Sequence, residues 1–157
     1  MSKLVQTQKF HLCAPPKDMN ATAMTAEYVS LKGYDHLTIV IQTGAWAGGT
    51  AAVSLLEATN VSAGSATALG MDYMWTDDAA AGTLVKTAVT SDTFNLDTAN
   101  SLYIIEIDAE ELDVDSSKDC VSLVVATPGA NADLYSVLYI LSGTRYEQGS
   151  PPSAIVD

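Results

Sequence analysis

The sequence predicts an all-β fold, a jelly-roll-like sandwich or barrel of short strands flanked by extended arms. Val, Ile and Thr, which strands favour, contribute 36 of the 157 positions. The apolar segments are short, and turn-forming residues separate them. No segment of ten or more residues shows the 3.6-residue period of an amphipathic helix. A chain of this length is expected to form one domain with a core of its own.

Alternation of apolar and polar side chains identifies the individual strands. It extends from Leu37 to Gln42 and again from Met71 to Thr76, so one set of side chains points to a core and the other to solvent or a neighbour. Further strands are predicted at 103–107, 121–125 and 135–141. The alanine-rich segment 51–58 has helical propensity, but Val53, Leu55 and the flanking threonines favour a strand.

An uncharged stretch of twenty residues, Leu37 to Leu56, has the length of a membrane span. Eight of its residues are Gly, Ser, Thr or Gln, which favours two strands joined by the glycine-rich turn Gly44–Gly49. No membrane span is expected, and the first ten residues lack the apolar region of a secretory signal. Cys13 and Cys120 match no zinc or redox spacing, so two small buried thiols are expected.

The charge balance excludes two classes of partner. Seven Lys and Arg residues stand against nineteen Asp and Glu residues, a net charge of −12. Binding to nucleic acid depends on neutralising phosphates with Lys and Arg. Attraction to anionic lipid depends on the same residues. We therefore expect neither nucleic acid nor a membrane surface as a partner.

Proline pairs lie near both ends of the chain. Pro15–Pro16 and Pro151–Pro152 favour an extended chain and leave no backbone N–H for a sheet. We therefore expect residues 1–27 and 148–157 to form arms around a β core of residues 28–147. The apolar residues at the C-terminus either cap this chain's own core or pack on a partner. The candidates for contact with a neighbouring subunit are Lys3, Leu4, Phe10, Pro15, Pro16, Pro151, Pro152, Ile155 and Val156.

No catalytic template is complete in this sequence. The spacing Gly44–Thr50 is similar to a phosphate-binding loop, but the lysine is missing and no helix pattern follows. Only His11 and His36 could act as imidazole bases, and no nucleophile elbow exists to present a serine to either. We expect no catalytic residue, no cofactor and no enzyme activity.

Two features leave a binding module open as an alternative. The run from Asp108 to Asp115 offers five carboxylates within eight residues, the ligand type that calcium prefers. It lacks EF-hand spacing and the turn glycine, so a solvated loop without metal is the simpler expectation. Trp46, Tyr73 and Trp75 could stack on sugar rings, although aromatic residues on strands more often belong to a core.

Four segments of the chain resemble a known protein family. In order, they are Tyr28–Val40, Leu55–Thr59, Tyr103–Asp115 continuing to Cys120, and Leu138–Leu141 continuing through Arg145–Tyr146 to residues 151–157. Together they are similar to small virion proteins of tailed bacteriophages and prophages, the head decoration or cement proteins. The resemblance spans most of the chain and implies a β-rich domain without enzyme activity. The family has no catalytic motif, so no site residue transfers from it.

The resemblance implies a capsid decoration protein that binds the outer surface of the major capsid shell and stabilises it. Its expected partners are the major capsid protein and further copies of itself, with a trimer as the first expectation and a dimer as the second. Its expected location is the virion exterior, after assembly in the bacterial cytoplasm. The alternatives are a tail or head–tail connector protein and a carbohydrate- or calcium-binding module. Hundreds of copies per particle would favour the head, and a handful would favour a connector.

Overall fold

The computed structural model describes residues 4–78, 80–144 and 151–156. It confirms the predicted all-β sandwich, because the described strands form two antiparallel sheets that share one core. In chain order the elements are α1 (Leu4–Thr7), β1 (Lys9–Asp18), β2 (Met24–Thr25), β3 (Val29–Ser30), β4 (Tyr34–Trp46), β5 (Ala51–Ala58), β6 (Thr67–Leu69), β7 (Tyr73–Asp78), β8 (Val85–Ala88), β9 (Phe94–Leu96), β10 (Ser101–Asp108), two 3₁₀ turns (Ala109–Glu111 and Val114–Ser116), β11 (Cys120–Val125) and β12 (Asp133–Thr144).

Sheet A contains the longest strands, in the order β1-β12-β4-β10-β7-β8. Its centre is the pairing of β4 with β12, which extends from Tyr34 opposite Thr144 to Trp46 opposite Asp133. The predicted strands at 37–42, 103–107 and 135–141 all lie in this sheet and are confirmed, while the alternation from Met71 to Thr76 corresponds to β7. Alternate residues of a strand point to the same side of the sheet, so β4, β10 and β12 each bury every second side chain over most of their length.

Sheet B has the order β2-β11-β5-β6, with β3 also paired to β11 and β9 to β5. The predicted strand at 121–125 is β11, and the alanine-rich segment 51–58 is the strand β5, as its Val and Leu residues indicate. β5 and β11 pair in register from Cys120 opposite Ala58 to Val125 opposite Val53. The helical alternative for this segment is therefore wrong, because burial of alternate side chains outweighs the propensity of alanine.

The core lies between the two sheets and is filled by the inward side chains of both. Its largest fully buried members are Tyr34, Tyr135, Tyr139, Met19, Leu31, Leu37, Ile39, Ile41, Leu55, Leu96, Ile105 and Ile107. Two tyrosines also satisfy polar groups across the interior. The backbone N–H of Leu123 donates to the hydroxyl oxygen of Tyr139 at 3.0 Å, and the Tyr135 hydroxyl donates to Met24 Sδ at 3.0 Å.

The glycine-rich turn between β4 and β5 is confirmed, and it joins the two sheets rather than two neighbouring strands. Gly49 adopts φ +80°, and a side chain there would clash with the carbonyl oxygen of Pro128. Only glycine fits this position. The uncharged stretch 37–56 is thus split between two strands. Among the described residues, no helix has the length and hydropathy to span a membrane.

The N-terminal segment differs from the expected arm. Lys9–Asp18 forms β1, which pairs antiparallel with β12 along the edge of sheet A. Its register shifts between Leu12 and Ala14 and again between Ala14 and Lys17, around the proline pair. Prolines are tolerated in a strand at an edge or a bulge, where a missing N–H breaks no ladder. The prolines therefore indicate an edge strand here and not a departure from the sheet.

The described part of the C-terminal segment, residues 151–156, also differs from the expected arm. Ala154 is buried, and its carbonyl accepts a hydrogen bond from the backbone N–H of Ser30 at 2.6 Å. The hydroxyl of Tyr34 donates to the carbonyl oxygen of Pro152. The segment thus caps this chain's own core through Ala154, while Ile155 and Val156 remain 46% and 66% exposed.

Candidate interaction surface

The outer face of sheet A, turned away from the core, is the strongest candidate for function. Five strands each place one apolar residue on it in register: Leu12, Leu138, Val40, Ile104 and Trp75, which we call the apolar row. Each residue lies directly opposite the next across the sheet. Lys86 lies opposite Trp75 on β8 and ends the series. The row therefore crosses the whole width of sheet A.

The apolar row belongs to a wider apolar face. Phe10 and Ile140 lie opposite each other beside it, and Leu102 lies two residues before Ile104 on the same side of β10. Leu12 is 58% exposed and Phe10 is 36% exposed. An antiparallel sheet with one face in water usually presents polar residues on that face. Sheet A is apolar on both faces near its centre, which is typical of a surface that another protein covers.

The outer face of sheet B is different, because the chain covers it. Tyr28, Ala58 and Cys120 form a second apolar cluster there, with Leu56 and Val61 packed against it. None of the residues of the apolar row belongs to either core cluster of the described chain. The outer face of sheet B is thus covered by this chain, whereas on the outer face of sheet A Leu12 is exposed and Leu138, Val40, Ile104 and Trp75 are half-buried.

One end of the apolar row is an aromatic pair with a lysine. Tyr73 precedes Trp75 by two residues on the same side of β7. Lys86 Nζ lies 3.4 Å from the ring centroid of Tyr73 and 5.6 Å from that of Trp75, within cation–π range. The indole Nε1 of Trp75 is buried and has no hydrogen-bond partner among the described residues. This end offers two ring surfaces and one positive charge.

Carboxylates border the face along the ends of β4 and β10. Glu106 and Asp108 follow Ile104 at two-residue intervals on the same side of β10, and their side chains are 43% and 63% exposed. His36 Nδ1 lies 2.7 Å from Asp108 Oδ1, and its Nε2 lies 3.8 Å from Glu106 Oε1. In the described part of sheet A, Lys86 is the one Lys or Arg on this face, because Lys9 and Lys17 pair with the inward residues of β12.

A cavity of about 360 Å³ adjoins these carboxylates. Asp72, Tyr73, Glu106 and Glu111 are among the residues that line it. Burial raises the pKa of Glu111, and the nearby charges of Asp108 and Asp72 raise it further. This border of the outer face is therefore a region of negative potential, which would attract Lys or Arg side chains.

The structure separates the N-terminal contact candidates. Phe10 lies on the outer face of sheet A, beside the apolar row. Leu4 is 59% exposed on α1, and Pro15 and Pro16 are exposed on the edge strand β1. Lys3 lies outside the described residues. Only Phe10 among these candidates joins the apolar face.

The C-terminal candidates form a separate group. Pro151 and Pro152 are half-buried, and Pro152 contacts the core residue Tyr34 through its carbonyl. Ile155 lines a second cavity of about 430 Å³ together with Glu27, Tyr28 and Val61. The described structure therefore does not bring the two sets of candidates together on one surface.

Sequence reasoning missed Val40, Ile104 and Trp75 as members of a shared surface. Alternation separated Val40 from Leu37, Ile39 and Ile41, but it grouped Trp75 with Met71 and Tyr73 and assigned no side to Ile104. Their alignment across the sheet depends on the register between strands that are distant in sequence. No local pattern reports that register.

Both histidines of the described chain lie beside carboxylates. His11 Nε2 lies 2.9 Å from Glu27 Oε2, and the ring partners of His36 are both carboxylates. The described residues hold no group of three or more side chains placed to bind a metal ion. Cys13 is half-buried and Cys120 is buried, and burial raises the pKa of Cys13. A raised pKa lowers the thiolate fraction that a nucleophile needs.

The segment Gly44–Thr50, whose glycine spacing is similar to a phosphate-binding loop, binds a carboxylate of this chain. The backbone N–H groups of Ala47 and Gly48 donate to Asp133 Oδ1 at 2.6 and 3.2 Å. A carboxylate therefore already occupies the amides that would bind an anion, and its charge would repel phosphate.

The acidic run and the aromatic trio lie in different surroundings in the described structure, and Trp46 is separated from Trp75. Asp113 caps the turn Val114–Ser116 by accepting from Ser116 N, and hydrogen bonds from the side chain and then the backbone of Ser116 lower the pKa of Asp113. Trp46 lies six residues beyond Val40 on β4, about 20 Å along the strand, and its indole donates to Gly49. It is thus far from Trp75, which lies opposite Ile104 and in the same row as Val40.

Comparisons with known proteins identify no family. No protein-family model matches the chain, and no curated protein matches it by sequence. A crystal structure of the SPBc2 prophage-derived protein YomS has 13% identity, covers 85% of this chain and 91% of that chain, and gives a TM-score of 0.46. A chain from Bacillus endospore appendages, described as disulfide-linked pili, has 11% identity, coverages of 92% and 97%, and a TM-score of 0.40.

A chain from the structure of Triatoma virus is also similar. It has 10% identity, covers 100% of this chain and 72% of that chain, and gives a TM-score of 0.46. At these identities and TM-scores, the three likenesses carry no argument about what this chain does.

Proposed function

We propose that this protein is a bacteriophage capsid decoration protein that binds the outer surface of the major capsid shell and stabilises it. The observation that supports this proposal most directly is the open apolar face of sheet A. A face of this kind fits a protein whose work is to bind another protein.

The charge of the chain supports a position outside the shell. A net charge of −12 would be repelled by the packed anionic DNA inside a filled capsid. The segments that resemble decoration proteins include most of β4, β10 and the middle of β12, the strands that build the centre of sheet A. The resemblance therefore includes Val40, Ile104 and Leu138 of the apolar row, but not Leu12 or Trp75.

Because many copies of a decoration protein bind one shell, each copy can bind with modest affinity. Many copies bound to one particle stabilise it together, even where each contact is weak. Contact with further copies of this chain, as a trimer or a dimer, would add to this effect and belongs to the same proposal. A tail or head–tail connector protein is the alternative, and it differs in copy number.

A density gradient of lysate from the producing cells tests the proposal. The protein is quantified against the major capsid protein in every fraction. We expect it to migrate with filled heads, at a ratio near or below one copy per capsid subunit. A handful of copies per particle would favour the connector. A protein that remains at the top of the gradient would overturn the virion proposal.

A further inference from the structure

We propose that the outer face of sheet A is the docking surface of this protein, and that its occupant is a different protein with an apolar centre flanked by Lys or Arg. This inference rests on the proposed function and specifies the surface and the chemistry of the contact. It follows from three properties of the face, which are its size, its apolar centre and the sign of the charges around it.

The size of the face suits a stable protein contact. The six strands of sheet A contain about fifty residues, and a residue covers about 16 Å² of a sheet at ordinary strand spacing. The face therefore measures roughly 800 Å², which is close to the area each partner contributes to a standard protein interface.

The centre of the face provides the apolar contact. Leu12, Leu138, Val40 and Ile104 are adjacent across four strands, without a charged residue between them. Trp75 continues the row, with its indole N–H unpartnered in the described structure. Aromatic and aliphatic residues of this kind dominate the central part of protein interfaces, while charged residues lie at the rim.

The border of the face argues against a second copy as the occupant. Glu106 and Asp108 lie on the face itself, and Asp72 and Glu111 line the adjoining cavity. A second copy would bring the same carboxylates and its own net charge of −12, against the single cation Lys86. Like charges brought together at an interface disfavour association, so a partner with Lys or Arg at this border fits better.

Two matched pairs of variants test the inference on intact heads that lack the protein. Leu12→Asp adds a charge to the apolar row, and Val114→Asp adds the same charge to a residue of similar exposure, 65% against 58%, on the turn after β10. Glu106→Lys reverses a charge on the face, and Asp115→Lys makes the same reversal on that turn. All four positions are exposed at the side chain, and thermal unfolding of each variant verifies that it folds.

We expect Leu12→Asp and Glu106→Lys to bind heads about tenfold more weakly than their controls, with wild-type affinity for Val114→Asp and Asp115→Lys. Raising the salt concentration should weaken wild-type binding more than binding of Glu106→Lys. If wild-type protein binds heads and all four variants bind equally, the docking surface is wrong and the proposed function stands. If wild-type protein does not bind heads, the proposed function fails and this inference falls with it.

Sedimentation velocity on the same variants distinguishes the other occupant. A self-contact through this face would bring Glu106 of one copy near Asp72, Asp108 and Glu111 of the other. In Glu106→Lys the new cation would attract those carboxylates, so this variant would associate more strongly than wild type, and Leu12→Asp would dissociate it. That result would overturn the inference in favour of a second copy. Unchanged sedimentation of the two variants supports a different protein as the occupant.

Discussion

Asp133 holds the backbone of Ala47 in place from the other end of the chain. The Ala47 N–H donates to Asp133 Oδ1 at 2.6 Å, and the side chain of Asp133 is fully buried. Asp133 begins β12, while Ala47 begins the turn that carries the chain from sheet A to sheet B. One carboxylate therefore fixes both the start of a central strand and the passage between the sheets.

Asp133→Ala should lower the free energy of unfolding by about 3 kcal/mol, because the part-buried hydrogen bonds from Ala47 and Gly48 lose a charged acceptor. Asp133→Asn keeps an oxygen for the Ala47 and Gly48 amides and should lose less, about 1 kcal/mol. Urea unfolding measures both, with the exposed Asp115→Ala as the control. Equal losses for the two substitutions would show that packing, and not these hydrogen bonds, accounts for the role of Asp133.

The C-terminal segment should divide into a part needed for folding and a part that is not. Ala154→Asp would bury an unpaired carboxylate beside Ser30 and should lower the free energy of unfolding by about 3 kcal/mol or more. The double variant Ile155→Ser, Val156→Ser changes exposed side chains and should change it by less than about 0.5 kcal/mol. Thermal unfolding compares them.

The same double variant tests the proposed contact of Ile155 and Val156 with a neighbouring subunit. It should weaken attachment to heads while stability is unchanged. Deletion of residues 151–157 could not show this, because it would also remove the buried Ala154. A large loss of stability in the double variant would mean that these side chains serve this chain's own fold.

Stability should decline at alkaline pH because of buried tyrosines. Burial, together with a smaller effect of the nearby Cys13, raises the pKa of Tyr135 to about 12. Burial also raises the pKa of Tyr139 well above its ordinary value. Between the unfolded value near 10 and the folded value, the unfolded chain releases protons that the folded chain keeps. The free energy of unfolding is therefore undiminished below pH 10 and falls as pH rises above it.

Tyr135→Phe cannot ionise, so its decline in stability above pH 10 should be shallower than that of wild type. At pH 7 it should be slightly less stable, since the contact of the hydroxyl with Met24 is lost. Urea unfolding across pH 7 to 11 measures this slope. Tyr73→Phe, on an exposed ring, is the control. Parallel slopes for wild type and Tyr135→Phe would contradict the assignment.

Glu111→Gln should stabilise the protein slightly at pH 7. The folded state raises the pKa of this carboxyl through burial and the charges of Asp108 and Asp72, so ionisation is less favourable there than in the unfolded chain. The gain should be below about 1 kcal/mol because the side chain is exposed. It should disappear below pH 4, where both states are protonated. Thermal unfolding at both pH values measures it, with Glu110→Gln as the control, and a gain that persists at low pH would contradict this cause.

Local sequence patterns predict the strands at 37–42, 51–58, 103–107, 121–125 and 135–141, and at 37–42 they also predict which side chains enter the core. Leu37, Ile39 and Ile41 alternate with partly polar neighbours, and a strand places such alternate residues on one side without help from the rest of the chain. The acidic composition and the missing catalytic templates are likewise readable without a structure, because they depend on residue types alone.

Strand pairing in the tertiary structure determines which outward-facing side chains lie next to one another. Val40, Ile104 and Trp75 come from three distant segments, and only the registers of β4, β10 and β7 align them into one face. The proline pair at 15–16 is a second case, because it lies in the edge strand β1, which pairs with the distant strand β12. Register and edge position arise from pairing between segments far apart in the chain, and that pairing depends on the packing of the whole sandwich.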